Sequence, residues 1–150
     1  MFTPSRDQAR RFLFAAWTKY RAGVALEGLE ATAVGVILLH PEYQPLLDHP
    51  ERNLERDFGP EQGGLNPFLH LSLHLAVEEQ LTIDQPRGIA QACRRLAARL
   101  GDEHEAKHAL VECLGEVVWN AQRSGAAPDG QAYLDCIERR LGAPSGPQGS

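Results

Sequence analysis

Apolar residues recur along most of the chain every three or four positions, which is the period of an α-helix with one buried face. No stretch alternates apolar and polar residues for long enough to predict a β-strand. Six segments share the helical pattern, and they span roughly residues 6–21, 26–39, 67–83, 84–100, 102–124 and 128–141. The pattern therefore predicts an all-α protein.

Residues typical of helix ends support these boundaries. Ser5 and Gln8 form a predicted capping box for the first helix. Asn66 followed by Pro67 is a typical start for the third helix, and Asp84 with Pro86 gives a similar signal for the fourth. Asp102 is the predicted N-cap of the fifth helix.

The segment between the second and third helices, residues 41–66, is rich in proline, glycine and charge. We expect a long loop here, with one or two short helical turns around Leu46-Leu47 and Leu54. The whole pattern predicts a single-domain bundle of five to six helices, mostly up-and-down, over residues 1–141. Residues 142–150 are predicted to be a disordered tail.

Composition narrows the class of protein. The net charge of −5 over 150 residues argues against a general nucleic-acid binder, which needs a basic face. The apolar run at residues 33–39 is too short to span a membrane, and the N-terminus lacks the apolar stretch of a signal peptide. Three cysteines without a CxxC motif predict free thiols and hence a cytoplasmic protein. A homodimer is compatible with the apolar first helix, although no heptad repeat requires one.

Two stretches, "HLSLHLAVEE" at 70–79 and "HEAKHALVEC" at 104–113, follow one template of His, three residues, His, two residues, Val and Glu. Residues four apart lie on one face of a helix, so each stretch presents two imidazoles and a carboxylate in nearly the same direction. The candidate metal ligands are therefore His70, His74, Glu78, His104, His108 and Glu112.

Chain direction predicts that the two histidine pairs meet. Short connections on both sides of the fourth helix make the third and fifth helices parallel, which places both pairs at one end of the bundle. His40, at the end of the second helix, is expected at that end as a further ligand. Neutral imidazoles bind divalent transition metals such as zinc, iron and manganese, and the carboxylates would add negative charge.

The spacings resemble those of hemerythrin-like diiron bundles and of the metal-dependent helical bundles related to DinB. They differ from the ferritin-like pattern, which needs Glu-x-x-His twice, because only Glu105 and His108 supply it. An open position on the metal would permit hydrolysis or redox chemistry, and a closed one would make the site structural or sensory. Whether the protein is an enzyme stays open.

A metal-free interpretation stands beside this one. In it, Glu78 and Glu112 hydrogen-bond the imidazoles in a buried polar layer that fixes the register of the bundle. The protein would then be an interaction module that uses the apolar surface of the first or sixth helix. Likewise, "HPEY" at 40–43 either brings His40 and Glu42 to the histidine end or is only a helix stop with solvated side chains.

Several motifs together carry a family resemblance: "NPFLHLSLHLA", "EQLTIDQP", "HEAKH", "ECLGE" and the "AQR" that follows Trp119 and Asn120. Over roughly residues 5–140 the chain resembles a proteobacterial family known as domain of unknown function 1841. The resemblance implies a bacterial cytoplasmic protein and brings no activity with it. That family usually has "HPEYH" where this chain has "HPEYQ", so Gln44 stands in place of one potential ligand.

Overall fold

Helices make up all the regular secondary structure in the computed structural model, which describes residues 6–54 and 66–142. The α-helices are α1 (Arg6–Arg21), α2 (Leu29–Leu38), α3 (Gln44–Leu47), α4 (Pro50–Asn53), α5 (Pro67–Ile83), α6 (Ile89–Leu100), α7 (Glu103–Ser124) and α8 (Gly130–Gly142). A 3₁₀ turn, Pro41–Tyr43, joins α2 to α3. The all-α prediction is confirmed for the described residues, where no helix is long and apolar enough to cross a membrane.

The helix count differs from the predicted five to six because the segment after α2 is not one long loop. Residues 41–53 form the 3₁₀ turn, α3 and α4 in succession. Each of these short elements has a proline in its first two positions, namely Pro41, Pro45 and Pro50. Proline favours the first turn of a helix, where its missing N–H costs nothing, so closely spaced prolines start several short helices instead of one long one. Residues 55–65 of the predicted loop lie outside the described residues.

Two helices begin later than the sequence pattern predicts. The second was predicted from residue 26, but α2 begins at Leu29 after Gly28, whose positive φ of 46° is not helical. The fourth was predicted from Asp84, but α6 begins at Ile89. The Asp84 carboxylate still serves this helix, because it accepts hydrogen bonds from the backbone N–H groups of Gly88 and Ala90. These hydrogen bonds lower the pKa of Asp84, and the bond from Ala90 has the largest effect.

Other predicted helix ends are confirmed. The Asn66 side chain accepts from the N–H groups of Phe68 and Leu69 at the start of α5. Asp102 is the N-cap of α7, and Gly125 is its left-handed C-cap. The predicted Ser5 capping box lies outside the described residues, as does the tail beyond Gly142.

The chain divides into two compact units, residues 1–76 and 77–150, with the boundary inside α5. The prediction of one up-and-down bundle domain therefore stays a prediction. In the first unit, side chains from α1, α2, α3 and α5 together form a buried apolar cluster. Its buried members are Leu13, Phe14, Ala16, Trp17, Ala33, Val34, Val36, Ile37, Leu47, Phe68, Leu71 and Leu75.

Polar groups fasten the short helices of the first unit to α1. The buried Arg10 donates from Nη1 to the carbonyl oxygens of Asn53 and Leu54, at 3.2 and 3.1 Å. The Trp17 indole N–H donates to Asp48 at 2.7 Å. These bonds satisfy carbonyls at the end of α4 and fix the chain that follows the 3₁₀ turn.

In the second unit, α6, α7 and α8 pack against one another around mostly apolar side chains. A buried polar contact also forms there, because the Tyr133 hydroxyl donates to the Gln80 side-chain oxygen at 2.7 Å. Burial raises the pKa of Tyr133, so the phenol stays protonated and remains a donor. This hydrogen bond connects α8 to the last turns of α5.

The prediction of three free thiols is wrong. Cys113 on α7 and Cys136 on α8 form a disulfide, with 5.8 Å between their Cα atoms. Sequence separation concealed this pair, since 23 residues separate partners that only the packing of α7 on α8 brings together. Cys93 is free and buried. Because free thiols were the argument for a reducing compartment, the cytoplasmic location loses that support and stays a prediction.

We expect only one reactive thiol in the denatured chain when no reductant is present. The 5.8 Å between the two Cα atoms lies within the usual range for disulfides, and both half-cystines are buried. Alkylation in denaturant, read by mass spectrometry, should label Cys93 alone, and all three cysteines after reduction. The Cys93→Ser variant should take no label before reduction. Labelling of three cysteines without reductant would contradict the cross-link.

Candidate metal centre

His40 lies directly after α2, and backbone bonding holds it there. Its N–H donates to the Ile37 carbonyl at 2.9 Å, and its side chain is only 2% exposed. The ring atom Nδ1 lies 2.8 Å from the Val36 carbonyl oxygen. A carbonyl oxygen can only accept, so Nδ1 must carry the proton in this contact. The neutral His40 ring then presents an unprotonated Nε2, which is the form that binds metals.

His70 and His74 lie on successive turns of α5, on the face that turns toward His40. The start of this helix is fixed by Asn66, whose carbonyl accepts from the His70 N–H at 3.0 Å. The Nε2 atoms of His70 and His40 are 3.1 Å apart. His74 is fully buried, and its ring meets that of His40 edge-on with 5.2 Å between the centroids.

One ligand atom from each of His40, His70 and His74 lies within 4.8 Å of the others. Two nitrogens bound to one zinc ion at 2.0–2.1 Å in tetrahedral geometry are about 3.3 Å apart. The 3.1 Å between the two Nε2 atoms is close to that value, so little ring movement would be needed for both to bind one ion. The same distance also suits a hydrogen bond between the imidazoles, which is the contact expected for a metal-free polar layer.

Tyr43 forms one wall of this cluster, and the sequence analysis did not single it out. Its ring is nearly parallel to that of His40, with centroids 5.6 Å apart, and edge-on to that of His70 at 5.9 Å. Burial is the main cause, and the nearby Glu42 a lesser one, of a raised pKa for Tyr43. The available signal was the spacing in "HPEY", because a 3₁₀ turn places residues three apart on the same side. Glu42, the carboxylate of that motif, is exposed.

The second histidine pair lies at the start of α7, in the other unit. The His104 backbone N–H donates to the Asp102 carboxylate at 2.8 Å, which fixes the first turn of the helix. The rings of His104 and His108 have centroids 4.1 Å apart, and both side chains are half-buried. The predicted face with two adjacent imidazoles is therefore present on α7.

Within the second unit, the two predicted carboxylate ligands contact cations. Glu78 accepts from the Lys107 ammonium, with an N–O distance of 3.0 Å and both side chains about one-fifth exposed. Glu112 pairs with the Arg140 guanidinium at 2.6 Å near the surface. The sequence analysis predicted neither of these basic partners. Each of these carboxylates, placed four residues after a histidine, thus pairs with a cation from another helix.

Comparison with known proteins identifies the family. The family model described as domain of unknown function (DUF1841) matches residues 5–139, so the chain belongs to that family. Searches of curated proteins and of solved structures found no match. The resemblance noted in the sequence is confirmed, and it leaves the function to be argued from the residues.

Replacement of His40 tests the polar contacts of the cluster in the absence of metal. His40→Phe keeps an aromatic ring but removes the Nδ1–H donor to Val36, so we expect the free energy of unfolding to fall by about 1 kcal/mol. Urea denaturation in the presence of a chelator would measure it. His49→Phe is the matched control, since the His49 side chain is 44% exposed and its replacement should change stability by less than about 0.5 kcal/mol. Equal stability of the two variants would contradict a structural role for the contact.

Proposed function

We propose that this member of the domain of unknown function 1841 family is a metal-binding helical protein whose centre contains His40, His70 and His74. One observation carries the proposal. The His40 Nδ1–H group is held by the Val36 carbonyl, while His40 Nε2 lies 3.1 Å from His70 Nε2. A histidine that donates its second ring nitrogen to a backbone carbonyl while offering the first is the usual arrangement of a metal ligand.

The donor set indicates which ions suit the site. Neutral imidazole is a good ligand for zinc, iron and manganese, and three histidines with an open position are a known form of zinc site. Such an ion would act as a Lewis acid or lower the pKa of a bound water, while iron would add redox chemistry.

The proposal extends to the second half of the repeated template. His108 is proposed as an additional ligand, and His104, Glu78 and Glu112 as completing groups, as the sequence predicts. Support comes from the identical spacing of the two stretches and from the two adjacent imidazoles on α7. For the carboxylates to bind metal, Glu78 and Glu112 would have to leave their ion pairs with Lys107 and Arg140.

Elemental analysis of protein purified without an affinity tag tests the centre directly. We expect about one equivalent of zinc, iron or manganese in the wild-type protein, and almost none in His40→Ala or His74→Ala. Metal added at about 100 times its Kd should raise the free energy of unfolding by about 2.7 kcal/mol. His49→Ala is the control, because it removes a histidine of the same unit whose side chain is 44% exposed, and it should leave the metal content unchanged. Metal-free protein whose melting temperature none of the three ions raises would refute the proposal.

Separate variants test the extension. His108→Ala should weaken metal binding by at least about tenfold if His108 is a ligand, since each lost ligand removes a bond to the ion. Glu78→Gln and Glu112→Gln each keep the shape of the side chain while removing its charge. Unchanged affinity in all of these variants, with loss in His40→Ala, would confine the centre to the three histidines of the first unit.

The metal-free interaction module remains the second candidate, and specific contacts favour it. The His40–His70 separation suits a hydrogen bond between the rings as well as it suits two metal ligands. The ion pairs of Glu78 and Glu112 with Lys107 and Arg140 favour the absence of metal, but not the carboxylate–imidazole bonds that this alternative predicts. Under this alternative, Tyr20 on α1 would belong to the partner surface. Tyr20 is 42% exposed, although the other apolar residues on its side of the helix are buried. The same elemental analysis separates the two functions.

A further inference from the structure

We infer that the metal centre binds a small anion on the side bordered by Tyr43, and that the Tyr43 hydroxyl donates a hydrogen bond to that anion. This inference rests on the proposed function in its three-histidine form, in which only His40, His70 and His74 bind the ion and one coordination position stays open. In this role Tyr43 does not bind the metal itself. It positions a molecule that the metal binds.

Exposure identifies the accessible side of the cluster. His40 and His74 are 2% and 0% exposed, so the interior side of the three rings is closed to solvent. His70 and Tyr43 are only half-buried, and their rings meet edge-on with 5.9 Å between centroids. An external molecule that reaches the ion from the His70 side would therefore lie beside the Tyr43 ring.

Charge indicates the class of that molecule. In the three-histidine form, neutral imidazoles leave the full positive charge of a divalent ion uncompensated, which favours an anionic fourth ligand such as hydroxide, azide or a carboxylate. A phenol can donate one hydrogen bond to such an anion without adding charge of its own. Hydrogen bonds in which one partner is ionised are roughly twice as strong as neutral ones.

The backbone holds Tyr43 in place before any ligand arrives. The Tyr43 N–H donates to the His40 carbonyl at 2.9 Å, and the Gln44 N–H donates to Pro41, closing the 3₁₀ turn. The side chain is packed along the His40 ring by the same turn. Because His40 and Tyr43 share this rigid element, the metal ligand and the hydrogen-bond donor keep a fixed relation to each other.

Cobalt(II) with azide as the probe anion tests the inference on the full chain. Visible absorption of the bound cobalt should change as azide is added, and the change gives the azide Kd. Tyr43→Phe, which retains the ring that packs on His40, should bind cobalt with wild-type affinity but azide at least about tenfold more weakly. Tyr20→Phe is the control, since Tyr20 stacks on Trp17 of α1 and should leave both affinities unchanged.

The possible results are distinct. Wild-type cobalt affinity in Tyr43→Phe shows that the site is folded, so weaker azide binding would then support the hydrogen bond. Equal azide affinity in Tyr43→Phe and wild type would overturn the role of Tyr43 while leaving the metal centre intact. Cobalt binding without any spectral response to azide would overturn the anion position. Failure of the wild-type protein to bind cobalt, zinc, iron or manganese would refute the proposed function and this inference together.

Discussion

The hydrogen bond between His40 Nδ1 and the Val36 carbonyl determines what the histidine cluster presents to its surroundings. It selects the tautomer of His40 and turns Nε2 toward His70. The carbonyl can do this because α2 is anchored, with Ala33 and Ile37 fully buried in the apolar cluster of the first unit. Core packing therefore fixes a backbone oxygen, the oxygen fixes an imidazole, and the imidazole sets the geometry of the candidate site.

The same arrangement explains why several histidines are tolerated in an apolar environment. A buried polar group without a partner costs about 1–3 kcal/mol, so a buried imidazole requires a hydrogen bond or a metal at each ring nitrogen. The Val36 carbonyl supplies one such partner to His40, and His70 Nε2 lies at the second. A metal ion and a hydrogen bond between rings compete for that second position, and the two proposed functions differ in which of them occupies it.

The sequence predicted most of the fold because helical periodicity and capping residues act locally. The start of α5 follows from Asn66 and Pro67 alone, and the bounds of α7 from Asp102 and Gly125. The late start of α6 was missed because the Asp84 side chain reaches forward to N–H groups four and six residues away. These are still local effects, and they moved helix ends without changing the class of the fold.

Properties that depend on packing between helices were predicted less well. Cys113 and Cys136 are 23 positions apart in the chain, and Glu78 and Glu112 lie 29 and 28 positions from their basic partners. Periodicity carries no information on such pairs. A carboxylate on a histidine face looks like a metal ligand in the sequence, although a lysine or arginine from another helix pairs with it in the structure.

The similarity of the two histidine stretches in sequence therefore does not mean that their histidines have the same surroundings. In the first unit its two histidines meet a third, His40, and the pair contains a fully buried ring. On α7 the same letters give two half-buried rings that are tilted to each other, with centroids 4.1 Å apart. Within the first unit, the 3₁₀ turn after α2 brings His40 and Tyr43 to the histidines of α5. The chemistry of the candidate centre therefore depends on "HPEY" as well as on the histidine pair of α5.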